Sequence, residues 1–161
     1  MIFVTVGSQK TQFNRLLKAI DEQVANGLIK DELFAQTGSS DYKPLHYGYT
    51  KFINRDEYVD RMNGADIIIT HGGTGAIIGA IKRGKKVIAV PRLKEYSEHV
   101  DDHQLEIVQQ FENTNLIIGC RNCDEIWKCI ETARTATFDT YTSSTNHIID
   151  SIESFISQMN I

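Results

Sequence analysis

Two short stretches hold the residue types that could do chemistry. The first is His71-Gly72-Gly73-Thr74-Gly75-Ala76, directly after the apolar run Ile67-Ile68-Ile69-Thr70. Three glycines within four residues let the backbone turn sharply and let a ligand approach the amides closely. An apolar, helix-spaced segment follows, with Ile77, Ile78 and Ile81. A buried strand, a tight turn and a helix N-terminus in that order offer unpaired N–H groups and a partial positive charge, which suits a phosphate. His71 stands at the carboxyl end of the strand, where open α/β sheets bind ligands. A plain strand-to-helix turn has the same glycine pattern, so the stretch alone leaves both readings open.

The second stretch is Glu98-His99-Val100-Asp101-Asp102-His103-Gln104. Carboxylate and carboxamide groups can accept from, and donate to, sugar hydroxyls. The stretch follows the strand end Val90-Pro91-Arg92 by a short polar loop. In a parallel sheet it falls on the same edge as the glycine turn, so the two would wall a crevice, phosphate donors on one side and sugar ligands on the other. Two other readings stay open. Acidic residues at a helix start are favoured by the helix dipole alone. His99 and His103, four apart on one predicted helix, could bind zinc, although Val100 stands where an H-E-x-x-H site carries its glutamate.

The elements that must position these stretches alternate along the chain. Ile2 to Val6 reads as a first strand, closed by Gly7-Ser8, a second ligand-facing turn. A helix from Thr11 to Asn26 carries the stripe Phe13, Leu16, Leu17, Ile20 and Val24, with Gly27 at its C-terminus. Glu32 to Thr37 reads as the second strand and His46 to Phe52 as the third. Asn54 caps a predicted helix through Asn63. The central strand and glycine turn lead into a helix to Lys82, then the strand Val87 to Val90, stopped by Pro91. Helix is expected over His99 to Phe111, strand over Leu116 to Ile118, helix over Asp124 to Ala133, loop over Thr135 to Thr145, and a last helix striped by Ile148, Ile149, Ile152, Phe155, Ile156 and Met159. This alternation predicts one α/β domain over residues 1–161, a Rossmann-like parallel sheet of about six strands with helices on both faces.

The bulk properties narrow the function classes. A chain of 161 residues with 41% hydrophobic and 24% charged residues is expected to form one globular domain. A net charge of −4 argues against a nucleic-acid binder. No run approaches the ~18 apolar residues of a membrane span, and the opening Met1-Ile2-Phe3-Val4 lacks the basic n-region of a signal peptide. The three cysteines, Cys120, Cys123 and Cys129, are expected to be structural thiols. A zinc site would want a second C-x-x-C pair. The turn Gly7-Ser8-Gln9 lacks G-x-G-x-x-G, which argues against a nicotinamide-dependent oxidoreductase.

Together, His71-Gly72-Gly73-x-Gly75, Gly84-Lys85, Val90-Pro91-Arg92 and the Glu98-to-Gln104 run resemble the C-terminal domain of family-28 glycosyltransferases, the nucleotide-sugar-binding half of a GT-B enzyme. The resemblance covers nearly the whole chain and is weakest after Phe138. It extends to free-standing versions of this half: the catalytic subunit of the two-subunit dolichol-linked N-acetylglucosaminyltransferase and bacterial subunits of capsule and exopolysaccharide transferases. The Arg92 and Glu98-to-Gln104 residues look like the bacterial branch.

The resemblance implies a UDP-sugar donor bound by Gly7, Ser8, Phe52, Ile53, His71, Gly72, Gly73, Thr74, Gly75, Ala76, Arg92, Glu98, Asp102, His103 and Gln104. Phe52 and Ile53 match the segment that holds the uracil, His71 and the turn match the diphosphate site, and Asp102, His103 and Gln104 match the end that touches the sugar. Two positions depart from the family pattern. Gly79 stands where many relatives place a ribose-binding glutamate, and Ala76 replaces the usual serine. The implied reaction is inverting transfer without a metal or other cofactor, His71 stabilising the leaving diphosphate. No general base is identified in the chain. The implied partners are a membrane-anchored acceptor-binding subunit and a lipid-linked saccharide. The expected location is cytoplasmic, at the inner face of the membrane, and the isolated chain is a possible homo-oligomer. A nucleotide-sugar-binding regulatory module without catalysis is the alternative, since fold does not fix function.

Overall fold

The structure is a computed structural model, and it describes residues 1–143. Six parallel strands form one sheet in the order β3-β2-β1-β4-β5-β6. They are β1 (Ile2–Thr5), β2 (Leu33–Gln36), β3 (Gly48–Thr50), β4 (Ile67–His71), β5 (Lys86–Val90) and β6 (Ile118–Gly119). The helices between them are α1 (Asn14–Ala25), α2 (Arg55–Gly64), α3 (Thr74–Ile81), α4 (His103–Asn113) and α5 (Ile126–Thr135). The strand order reverses between β1 and β4, which pair in register from Ile2–Ile67 to Thr5–Thr70. That reversal opens a crevice at the carboxyl ends of the two strands.

The period of two along each strand sorts the core into two layers. Ile2, Val4, Ile67, Ile69, Ile88 and Val90 face α1 and α5, meeting Phe13, Leu16, Leu17, Ile20, Ile126 and Ile130. Phe3, Ile68, Val87 and Ala89 face the other way, onto Met62 of α2, Ile77 and Ala80 of α3, and Val108 of α4. The β-branched runs at Ile67–Ile69 and Val87–Val90 are buried on both sides, as central parallel strands must be. Asn54 caps α2 by accepting from the Glu57 amide at 2.9 Å. Cys120 and Cys123 are buried, Cys129 is half-buried, and all three are free thiols.

The differences from the sequence reading have local causes. The third strand keeps only three residues. Asp21 of α1 accepts from the Leu45 and His46 amides, at 2.9 and 2.8 Å, and so draws that segment onto the helix. Helix α4 starts at His103 rather than His99. Ser97 takes a left-handed conformation, φ 56°, and the Asp102 carboxylate is spent on the Lys94 amide, which keeps residues 97–102 in turns. The last predicted helix lies outside the described residues. Among the described residues, no helix is long and apolar enough to cross a membrane.

Candidate functional site

The glycine turn sits at the β1/β4 reversal. Helix α3 begins at Thr74 with Gly73 as its N-cap, and no side chain caps it, so its first amides face the crevice. His71, the last residue of β4, is buried between two glycines. A Cβ on Gly7, which itself has φ +76°, would lie 2.6 Å from His71 Cε1, and a Cβ on Gly73 would collide with His71 Nε2. The structure thus brings Gly7, His71 and Gly73 into one contact, from two strands and two turns. Ser8, Ile53 and Ala76 line an adjoining cavity of about 290 Å3. Its walls also include Thr5, Gln36, Asn54, Arg55 and Tyr58, none of which the sequence singled out as a site residue. The cue for two of them was positional, since Thr5 and Gln36 each stand one residue before the end of a predicted strand and end β1 and β2. Phe52 stands outside this cavity, 53% exposed.

Three residues expected to touch a donor are occupied inside the protein. Gln104 is buried, and its Oε1 accepts from the Gly72 amide at 3.1 Å and the Arg92 amide at 3.0 Å. It ties α4 to the glycine turn, and it takes the Gly72 amide away from any phosphate. Glu98 is fully buried, its two oxygens 2.9 and 2.8 Å from Nε and Nη2 of Arg15. Arg92 is fully buried under the crevice. Its guanidinium donates to the carbonyls of Val6, Thr11, Gln12 and Glu98. These three residues position the walls of the site. Asp102 and His103 are exposed at the start of α4, with the Lys94 amide on Asp102 and Glu106 beside the His103 ring. At Gly79 a Cβ would meet only Arg83 Nη1, at 3.8 Å, and Arg83 donates to the Gly79 carbonyl.

The zinc alternative loses its geometry, because His99 precedes α4 and turns to Asp101 while His103 turns to Glu106. Among the described residues, no three His, Cys, Asp or Glu side chains converge as a metal site. A larger opening of about 580 Å3 lies at the amino edge, by Lys82, Lys85, Lys86 and Tyr141. Its Lys85 and Lys86 ammonium groups are already spent on main-chain carbonyls.

The electrostatics favour an anion. Burial pushes the Arg92 pKa down to about 10. The nearby Glu98 carboxylate is paired with Arg15, so the two guanidiniums and one carboxylate leave an excess positive charge beneath the crevice. A buried charge without a counter-charge is costly, and an anion in the crevice would supply one. Burial first, then the Arg92 charge, push the His71 pKa down to about 4, while a hydrogen bond to the Thr5 carbonyl opposes them. His71 is therefore neutral at pH 7.

A bound diphosphate would reverse the sign of that field and raise the His71 pKa. Binding then takes up a proton, so the affinity for a UDP-sugar, the donor that the sequence resemblance implies, is expected to rise as pH falls from 7 toward 5. Isothermal calorimetry across that range checks it, and a flat profile would place His71 away from the phosphates. The folded-state pKa is depressed, so the matching stability is complete above the unfolded value of 6.5 and is lost as pH falls through about 4. The loss amounts to about 3 kcal/mol.

Gln104→Ala frees the glycine turn rather than emptying a sugar contact. It is expected to weaken UDP and a UDP-sugar about equally, by about 1–3 kcal/mol, the cost of leaving two buried amides unpaired. A loss confined to the sugar nucleotide, read by calorimetry, would restore Gln104 to the sugar.

The strand order, and the crevice with an uncapped helix start at its reversal, define a Rossmann-like α/β domain. The sequence matches the glycosyltransferase family 28 C-terminal domain over residues 1–159, and the chain belongs to that family. It is 38% identical over 80 residues to the UDP-N-acetylglucosamine transferase subunit ALG13 of Candida albicans, a match covering 50% of this chain and 24% of that protein. The human protein of the same name is 25% identical over 128 residues, 74% of this chain and 11% of its own length. The chain thus spans about a quarter of the Candida albicans relative and less of the human one. Among solved structures, the glycotransferase of kitacinnamycin superposes with a TM-score of 0.64 at 16% identity, over 84% of this chain and 35% of that one. The solution structure of ALG13 superposes with a TM-score of 0.56 at 16% identity, over 94% and 93% of the two chains. At that identity the superpositions speak for the fold.

Proposed function

We propose that the chain is the donor-binding, catalytic subunit of an inverting UDP-sugar-dependent glycosyltransferase, with UDP-N-acetylglucosamine as its donor. The observation that carries this reading is the uncapped start of α3 beside a buried, neutral His71 and over the excess charge of Arg92. Family membership and the names of the relatives support the sugar nucleotide as the anion. The diphosphate would lie on the amides from Gly73 to Ala76, and the nucleoside in the cavity of Ser8, Ile53 and Ala76. Fixed amides aimed at the phosphates stabilise the charge that develops on the leaving UDP at no reorganisation cost. No metal or other cofactor takes part in this mechanism.

The acceptor is a lipid-linked saccharide presented by a membrane-anchored partner, which holds this chain at the cytoplasmic face of the membrane. The relatives named above favour the N-acetylglucosaminyl branch over the capsule and exopolysaccharide branch that the Glu98-to-Gln104 run resembles. The test is transfer from labelled UDP-N-acetylglucosamine by the purified chain, with and without membranes of its source cells. Transfer that needs both is expected. Full transfer to a soluble acceptor by the chain alone would overturn the partnership.

A further inference from the structure

We infer that the side-chain amide of Gln36 holds a ribose hydroxyl of the bound nucleotide, an assignment that rests on the donor site proposed above. Gln36 ends β2 and is only 6% exposed. Its Oε1 accepts from the Thr5 hydroxyl at 3.2 Å, across the paired ends of β1 and β2. Its Nε2 has no partner among the described residues. Among those residues, the fully enclosed side-chain nitrogen or oxygen left unpaired is Nε of Arg92. The Gln36 amide is therefore not sealed in the core. It opens into the cavity of about 290 Å3 that the residue lines. Buried polar groups are almost always paired, so unused donors on a buried side chain at a cavity wall mark a place for a ligand.

The sheet order assigns the ribose to that amide. Ser8 follows β1 and Ala76 lies in the first turn of α3, so both stand at the reversal where the diphosphate is placed. Ile53 closes the cavity from beyond β3. Strand β2 runs between β1 and β3, so the sugar that joins base to diphosphate passes over its end, where Gln36 stands. The opposite wall offers nothing equivalent. Past Thr74, α3 consists of glycine, alanine and isoleucine alone, without a side-chain hydrogen-bonding group. Asn54 spends its side-chain oxygen on the Glu57 amide, and Arg55 is exposed.

The amide is held in place before any ligand arrives. Gln36 pairs with Thr5 on one side and Thr50 on the other, and its carbonyl accepts from the Val6 amide at 3.2 Å. The Thr5 carbonyl in turn accepts from the Thr70 hydroxyl at 3.1 Å, which ties this corner to β4. Tyr58 bounds the cavity from α2 and packs edge-on against Phe3, with ring centroids 5.7 Å apart. A ribose hydroxyl both donates and accepts, so it matches a carboxamide presented by either end.

The test is calorimetry of UDP, 2′-deoxy-UDP and 3′-deoxy-UDP on the full chain, joined to 15N spectra of its side-chain amides. The unaltered chain is expected to bind UDP at least about tenfold more tightly than one of the two deoxy analogues, because that analogue leaves a buried amide unpaired. Gln36→Leu, similar in volume and without polar atoms, brings UDP to within about threefold of the same analogue. Gln36→Glu still accepts from a ribose hydroxyl, so it weakens UDP and the analogue together and keeps the preference. In the unaltered chain the Gln36 Nε2 signal moves on saturation with UDP and moves less with the analogue, a reading that needs no variant to fold. A merely structural Gln36 would lower UDP and both analogues alike in Gln36→Leu, and that outcome overturns the assignment. Equal binding of all three nucleotides by the unaltered chain also overturns it and leaves the donor site standing. Failure of the unaltered chain to bind UDP overturns the donor site and the assignment with it.

Discussion

Gly73→Val should lower the affinity for UDP and for UDP-N-acetylglucosamine by at least about 100-fold, or roughly 3 kcal/mol. The backbone does not forbid the change, because Gly73 has φ −79° and ψ 123°, which any residue can adopt. The cost comes from contact. The new Cβ would collide with His71 Nε2 and lie 2.9 Å from His71 Cδ2. The ring cannot retreat freely, because the Gly7 backbone packs against its other side, so closely that a Cβ there would fall 2.6 Å from Cε1. The start of α3 or the imidazole must therefore move, and the valine methyls also cover the amides. Calorimetry on a variant whose circular dichroism is unchanged reads this directly. Binding of UDP within threefold of the unaltered protein would mean that the phosphates lie elsewhere.

Arg92→Leu should cost about 3–5 kcal/mol of stability, the range for dismantling a buried charged network, and lower the melting temperature by roughly 10 °C. Leucine matches the burial but supplies no donor, so the carbonyls of Val6, Thr11, Gln12 and Glu98 lose the guanidinium that joins them. Those contacts bridge 81 residues of sequence to Thr11 and 86 to Val6. The segment after β1, which carries Gly7 and Ser8, then loses its anchor, and UDP binding falls with it. Arg92→Lys keeps the charge but not the fork, so it is expected to recover part of the stability. A melting temperature within about 2 °C of the unaltered protein would show that Arg92 does not organise the site.

The scaffold was legible because its cues are local. The apolar β-branched runs of β4 and β5 can be satisfied only by burial on both faces, and Asn54 caps α2 through an amide three residues on. The glycine turn was legible for the same reason. The roles of Arg92, Glu98 and Gln104 were not. Charged and carboxamide residues in a polar run read as ligands for a substrate, yet here their partners are Val6, Thr11, Arg15 and the Gly72 amide, which become neighbours only once the sheet is assembled. The late start of α4 hid for a related reason. The turn at Ser97 and the Asp102 bond to Lys94 compete with helix in a way that periodicity does not show. That four-residue shift removed a zinc pair and exposed the contact between His99 and Asp101.

The most direct test of a donor site at the glycine turn is a titration of the isotope-labelled chain with UDP-N-acetylglucosamine, followed by backbone amide NMR. Saturable binding at one site is predicted, with the largest shifts at Gly7, Ser8, Ile53 and His71 to Ala76, and smaller ones where α4 meets the turn. No saturable shift at millimolar sugar nucleotide, or shifts centred on Lys82 to Lys86 at the opposite edge, would contradict it.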